Sequence, residues 1–170
     1  MTTFADLGLP RGIVNVLNKQ GITEPFPIQE AAIPDALAGK DVLGRGPTGS
    51  GKTFTFGLPM LARLAGAPST PGHPRGLVLA PTRELASQIA ASAEVYGAQM
   101  KMSVGVIFGG VANAKSVRTV SRGLDVLGGV DHAGIGLGAT LGLSCRPLGQ
   151  GVGGAGWFAP CFAHPCPNRP

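Results

Sequence analysis

The stretch Gly46-Pro47-Thr48-Gly49-Ser50-Gly51-Lys52-Thr53 constrains this chain more than any other part of it. It fits G-x-x-x-x-G-K-[ST] in full, between a short run expected to be a strand, Asp41 to Leu43, and a segment of helical periodicity. Glycines 46, 49 and 51 let the backbone curl with several N–H groups pointing inward, and the following helix N-terminus adds partial positive charge. Such a cradle favours a polyphosphate. Lys52 is expected to reach the β and γ phosphates, and the Thr53 hydroxyl to ligate Mg²⁺.

The periodicities on both sides of the loop predict the rest of the fold. Pro10 opens a first helix with Ile13, Val14, Val16 and Leu17 on its apolar face, and Gly21 ends it. A second helix follows Pro27, buries Ile28, Ala31, Ala32, Ala36 and Leu37, and stops at Gly39. Lys52 to Leu64 reads as a third, which Pro59 should kink or shorten. After a Pro/Gly/Ser-rich loop from Ala65 to Pro74, the apolar run Leu77 to Ala80 has the character of a buried parallel strand. A helix through Leu85, Ile89, Ala93 and Tyr96, a strand over Val104 to Phe108, a basic helix over Val111 to Arg122 and a strand over Leu124 to Leu127 complete the order. This alternation predicts an α/β fold, a partial P-loop (RecA-like) domain with a parallel sheet flanked by helices.

Composition divides the chain in two. Charged residues are only 14% of the whole against a usual share of about 25%, and the deficit lies at one end. Residues 128–170 hold eleven Gly, five Pro, all three Cys and the sole Trp, with only Asp131, Arg146 and Arg169 charged. This stretch reads as a disordered, low-complexity tail. Residues 1–127 carry twelve Lys/Arg and eight Asp/Glu, a mild basic excess that suits a phosphate backbone without requiring one. The N-terminus has neither the basic start nor the apolar run of a secretory signal, so a cytoplasmic protein is expected. No run approaches the ~20 apolar residues that span a bilayer, and nothing marks an oligomer interface.

The nucleotide can be narrowed further. A guanine-reading Asn-Lys-x-Asp would lie downstream of the loop, whereas the single Asn-Lys, Asn18-Lys19, lies upstream and lacks the Asp. Upstream too stands Gly21-Ile22-Thr23-Glu24-Pro25-Phe26-Pro27-Ile28-Gln29, with Phe4 seventeen residues before it. This segment resembles the Q motif of DEAD-box RNA helicases, with Ile22 where an aromatic is usual. Pro81-Thr82-Arg83-Glu84-Leu85-Ala86 with Gln88 resembles that family's motif Ia, and Gly109-Gly110 its GG element. Within the family the bacterial RhlE-like group is the nearest likeness.

The resemblance implies a Q-motif region over residues 2–30 and a partial helicase ATP-binding domain over 31–127. It implies that Gln29 hydrogen-bonds the adenine edge and Phe4 stacks on the ring, so that Phe4, Gln29, Gly46, Pro47, Thr48, Gly49, Ser50, Gly51, Lys52 and Thr53 hold ATP. Lys52 and Thr53 are the catalytic candidates, with Thr53 on Mg²⁺. Pro81, Thr82, Arg83, Gly109 and Gly110 are expected to contact the RNA backbone. Lys115, Arg118 and Arg122 fall on one helical face beside them.

After Leu127 the resemblance ends. In the family this strand runs on into Ala-Thr-Pro-Gly-Arg, and later segments carry Asp-Glu-Ala-Asp and Ser-Ala-Thr. Here Gly128-Gly129-Val130-Asp131-His132 follows, and no Asp-Glu pair occurs in the 170 residues. The carboxylates that complete Mg²⁺ coordination and position water are then missing, and hydrolysis is expected to be slow. The wealth of Gly, Pro, Ala, Arg and Cys after residue 127 is what a GC-rich gene yields in a shifted frame, so a frameshift near that codon is the expected origin of the tail. Cys145, Cys161, His164 and Cys166 have the residue types of a zinc site at a spacing that matches no common zinc motif.

Overall fold

The computed structural model describes residues 2–66, 69–107, 118 and 120–130. The expected basic helix over 111–122 and the zinc-type residues of the tail fall largely or wholly outside that set.

Helix α1, Arg11–Lys19, follows Pro10 and buries Ile13, Val16 and Leu17, one stripe at intervals of three and four residues. It closes at Gly21, where the Ile22 N–H donates to the Leu17 carbonyl at 2.9 Å. Helix α2, Pro27–Leu37, turns a face inward that differs by one residue from the expected one: Gln29, Ala32, Ile33 and Ala36 are buried, while Ala31 is exposed. Its inner stripe therefore begins on a polar amide. Helix α3, Lys52–Leu64, runs through Pro59 without interruption. A proline inside a helix costs about 3 kcal/mol; here Leu58, Pro59, Met60 and Leu61 are all buried, and burying such side chains offsets that cost.

Strand β1, Gly76–Ala80, helix α4, Arg83–Gly97, a 3₁₀ turn at Ala98–Met100, and strands β2, Val104–Ile107, and β3, Val126–Val130, follow in order. The strands form one parallel sheet in the order β1-β3-β2, with Gly76 paired to Val126 and Val104 also to Val126. Strand β3 lies in the middle and extends three residues beyond Leu127, where the apolar pattern fades. Ladder hydrogen bonds are made by the backbone, so Gly128 and Gly129 pair as well as any residue once a strand lies on each side.

The expected strand at Asp41 to Leu43 does not form. Residues 40–47 join no ladder, and Leu43 is 69% exposed. A strand exists only by pairing; among the described residues β1 pairs with β3 alone, so no strand is paired with the segment that enters the loop.

Side chains alternate across the sheet. Val78, Ala80 and Val126 face the main core, built with Phe4, Leu9, Leu17, Ile33, Leu58 and Ile89 from the N-terminal segment and the helices. Leu127, with Leu77 and Ile107 against it, joins Val120 and Leu124 in a smaller second cluster. At the N-terminal ends of the strands Arg75 Nη1 lies 3.1 Å from Asp125 Oδ1, while Asp125 Oδ2 accepts from Ser103 N at 2.9 Å. Arg75 also donates to the Leu64 carbonyl, which ties the end of α3 to all three strands.

Candidate functional site

The loop and its helix are built from local rules. Gly51 is the N-cap of α3 and takes φ +78°, a left-handed conformation that costs a side-chain-bearing residue about 1 kcal/mol or more. Gly49 does the same at φ +84°. Between them Ser50 folds back, its hydroxyl donating to the Pro47 carbonyl at 2.8 Å. The N–H groups of Lys52 and Thr53, in the first turn of α3, have no intrahelical acceptor.

Tertiary contacts then shape the cradle. A Cβ on Gly51 would lie 2.3 Å from Gln29 Nε2 and 2.8 Å from Phe26 Cδ2, and one on Gly46 would lie 2.8 Å from Ser50 Oγ and 3.1 Å from Ile28 Cδ1. Position 51 thus admits glycine only, by close approach as well as by backbone angle, whereas at 46 the crowding comes from the Ser50 hydroxyl and the tip of Ile28. The start of α2 is held against the loop: Gln29 Nε2 donates to the Gly51 carbonyl at 3.0 Å, and Gln29 Oε1 accepts from the Phe26 N–H at 2.9 Å. Gln29 is 1% exposed and both ends of its amide are engaged.

Lys52 turns back on the loop. Its Nζ donates to the carbonyls of Gly46 and Pro47 at 2.7 and 2.6 Å, so the ammonium is satisfied by backbone oxygens of the same turn. Thr53 follows on the first turn of α3 and borders the shallow groove between α3 and α4, where the rings of Phe54 and Tyr96 meet edge to face at 5.2 Å. The Tyr96 hydroxyl donates to Gln20 Oε1, and burial pushes its pKa above the ordinary value.

The remaining expected site residues separate into two groups. Phe4 is 2% exposed and belongs to the main core, so its ring offers no free face for stacking in this conformation. Pro81, Thr82 and Arg83 are exposed where β1 passes into α4, and Thr82 caps that helix by accepting from the Leu85 N–H at 3.2 Å. Gly109 and Gly110 lie outside the described residues. Phe26 and Ile28 touch the loop although neither was singled out for it; the available signal was that both neighbour Gln29 in the segment before it. No group of three or more metal-ligating side chains exists among the described residues, and no described helix is long and apolar enough to cross a membrane.

A parallel α/β sheet with a helix opening on a complete phosphate-loop sequence defines a P-loop domain of the RecA-like helicase fold. A model of the DEAD/DEAH box helicase family matches residues 26–132, more than half of the chain, and the chain belongs to that family. It is 44% identical over 131 residues to the maize (Zea mays) "DEAD-box ATP-dependent RNA helicase 3A, chloroplastic", covering 74% of this chain and 17% of that protein. It is 41% identical over 128 residues to the "ATP-dependent RNA helicase SrmB" of Escherichia coli, covering 75% of this chain and 29% of SrmB. The structure of the RNA helicase Prp28 from Chaetomium thermophilum bound to ADP superimposes with a TM-score of 0.69 at 35% identity, over 76% of this chain and 32% of that one. A DEAD box protein from Methanococcus jannaschii does so with a TM-score of 0.66 at 26% identity, over 76% and 35%. The chain thus spans less than a third of the length of the two curated relatives.

Proposed function

We propose that this chain binds ATP with Mg²⁺ through Gly46–Thr53 and RNA through the start of α4, as the front part of an ATP-dependent RNA helicase. One observation carries the reading: a loop with glycine required at 51 opens directly onto a helix N-terminus and is clamped by the buried Gln29. A phosphate arriving there meets the N–H groups of the first turn and the Lys52 ammonium, which exchanges two backbone carbonyls for phosphate oxygens. The Thr53 hydroxyl supplies the hard oxygen donor that Mg²⁺ takes, and the ion when bound neutralises charge on the phosphates. Gln29 retains one amide N–H and one carbonyl lone pair beyond those it uses, which suffice to pair with an adenine edge. The ADP bound by Prp28 supports an adenine nucleotide.

For RNA, the exposed first turn of α4 offers orphan N–H groups, the Thr82 hydroxyl proton and Arg83 to a phosphate. Gly109 and Gly110 extend this proposal on sequence alone. Lys52 and Thr53 are the catalytic candidates, but the chain contains no Asp-Glu pair, and we infer that its own turnover is slow. Membership of an RhlE-like subgroup rests on the sequence likeness; the two curated relatives come from a plant and a bacterium.

The test is nucleotide binding and turnover by the 170-residue chain. ATP should bind and Lys52→Ala should abolish binding. Hydrolysis should stay near background with or without single-stranded RNA. Absence of ATP binding would overturn the nucleotide reading, and RNA-stimulated turnover would overturn the inference of slow hydrolysis.

A further inference from the structure

We propose that the N-terminal ends of the strands form a second contact for the RNA backbone, separate from the one at the start of α4 and at the opposite end of the sheet. The strands are parallel and ordered β1-β3-β2, so the segments that enter them stand side by side, about 10 Å across in all. Backbone bonds join them: the Asp125 N–H donates to the Ser103 carbonyl at 2.9 Å, and the Gly76 N–H to the Asp125 carbonyl at 2.8 Å. The Ser103 hydroxyl also reaches the Gly123 carbonyl at 3.1 Å. Lys101, just before Ser103, and Arg122, just before Gly123, flank this seam. Lys101 takes φ +57°, a left-handed conformation unusual for a residue with a side chain, and the fixed turn sets where its stem leaves the backbone.

The charge on this end is of one sign. Lys101, Arg118 and Arg122 are exposed and make no ion pair or side-chain hydrogen bond with a described residue. No Asp or Glu occurs between Asp41 and Glu84 or between Glu94 and Asp125, so the three entry segments share a single acid. That acid, Asp125, is buried and already held by Arg75 and Ser103. Unbalanced cations on one face attract a polyanion. Segments 69–75, 98–103 and 120–125 contain no aromatic residue, whereas protein interfaces draw much of their affinity from aromatic anchors. A phosphate backbone needs only placed cations, and it is bound without reading the bases. Sequence spacing sets Arg118 and Arg122 beside Gly109 and Gly110, but Gly123 leads directly towards β3, so Arg122 lies at the other end of the strands from Thr82, which follows β1. Helix α4, with 15 residues, runs about 22 Å between those two ends. One RNA strand of sufficient length therefore meets two separate sites.

The experiment is a fluorescence-anisotropy titration of labelled oligouridylate with the 170-residue chain, repeated between about 50 and 200 mM salt. An oligonucleotide of about 20 residues is ample to span about 22 Å at about 3.4 Å per phosphate. The triple variant Lys101→Gln, Arg118→Gln, Arg122→Gln should raise the Kd about tenfold at the lowest salt and flatten the slope of log K against log salt by about 2, since each phosphate contact to a single strand contributes about 0.7. All three side chains are exposed, so its thermal melt should match that of the unaltered chain. The charge-keeping variant Lys101→Arg, Arg118→Lys, Arg122→Lys should bind within about twofold of the unaltered chain. If the triple variant keeps both Kd and slope while Arg83→Gln weakens binding, this face is overturned and the contact at the start of α4 stands. The reverse pattern upholds this face and overturns that contact. If polyglutamate displaces the RNA and itself binds the triple variant as weakly as the RNA does, the partner is an acidic polypeptide and the proposal is overturned. No RNA binding by the unaltered chain at low salt overturns both contacts.

Discussion

Gln29 Nε2 donates to the carbonyl oxygen of Gly51 at 3.0 Å, across 22 residues of sequence. The acceptor is the N-cap carbonyl of α3, so the helix carrying Lys52 and Thr53 is positioned by a side chain from the helix before the loop. Nucleotide geometry and fold stability consequently share one buried amide.

Replacing that amide should therefore register in both. Gln29→Leu keeps the volume but leaves the Phe26 N–H and one bond to the Gly51 carbonyl unmade. Unsatisfied buried groups cost about 1–3 kcal/mol, so urea denaturation should show a loss of that size. ADP affinity should fall as well. A Gln29→Leu chain of unchanged stability would show that the two amide hydrogen bonds of Gln29 contribute nothing net.

Gly51→Ala should be more severe. The new methyl enters within 2.3 Å of Gln29 Nε2 at a φ of +78°, so contact and backbone strain add. A destabilisation of about 2–4 kcal/mol and loss of nucleotide binding are expected. Gly49→Ala meets nothing within 4 Å and should cost only the strain, about 1 kcal/mol. Paired thermal melts of the two variants check the ordering.

Asp125→Asn should weaken the sheet rather than the site. Asp125 is buried, holds Arg75 Nη1 at 3.1 Å and accepts from Ser103, and stripping the charge leaves Arg75 with a weaker partner. Removing one member of a buried pair costs about 3–5 kcal/mol; Arg75 keeps 20% of its side chain in water, so about 2–3 kcal/mol is expected. The double variant Arg75→Met, Asp125→Leu should lose less than the two single losses together, by chemical denaturation.

Tyr96 gives a pH dependence. Its folded pKa is raised by burial, so its contribution to stability is fully present below the unfolded value of about 10 and is lost as pH rises through the folded pKa. Tyr96→Phe removes the bond to Gln20 at a cost of about 1 kcal/mol at pH 8. At pH 11 the gap between the two proteins should narrow or reverse. Urea melts at both values decide; a constant gap would show that the hydroxyl does not titrate differently on folding.

Much of this was legible in the chain because it is local. The apolar stripe of α1, the glycines of the loop and the cap at Thr82 are set within a few residues of one another. The expectation for Asp41 to Leu43 failed because apolar character qualifies a segment to be a strand and only a neighbour makes it one. The face of α2 was misjudged by a residue because Gln29 reads as polar and hence outward, whereas its two amide bonds make burial acceptable.

From sequence alone came the phosphate loop, the alternation of helix and strand, and the family likeness, since glycine angles, helical periodicity and residue order need no partner to be read. Only the tertiary structure decided that Phe4 belongs to the core, that Phe26 stands beside the loop, that Gln29 clamps Gly51 and that Arg75, Ser103 and Asp125 join three strands. Each of those depends on groups separated along the chain, and hydrogen bonding and burial are settled by what lies adjacent in space.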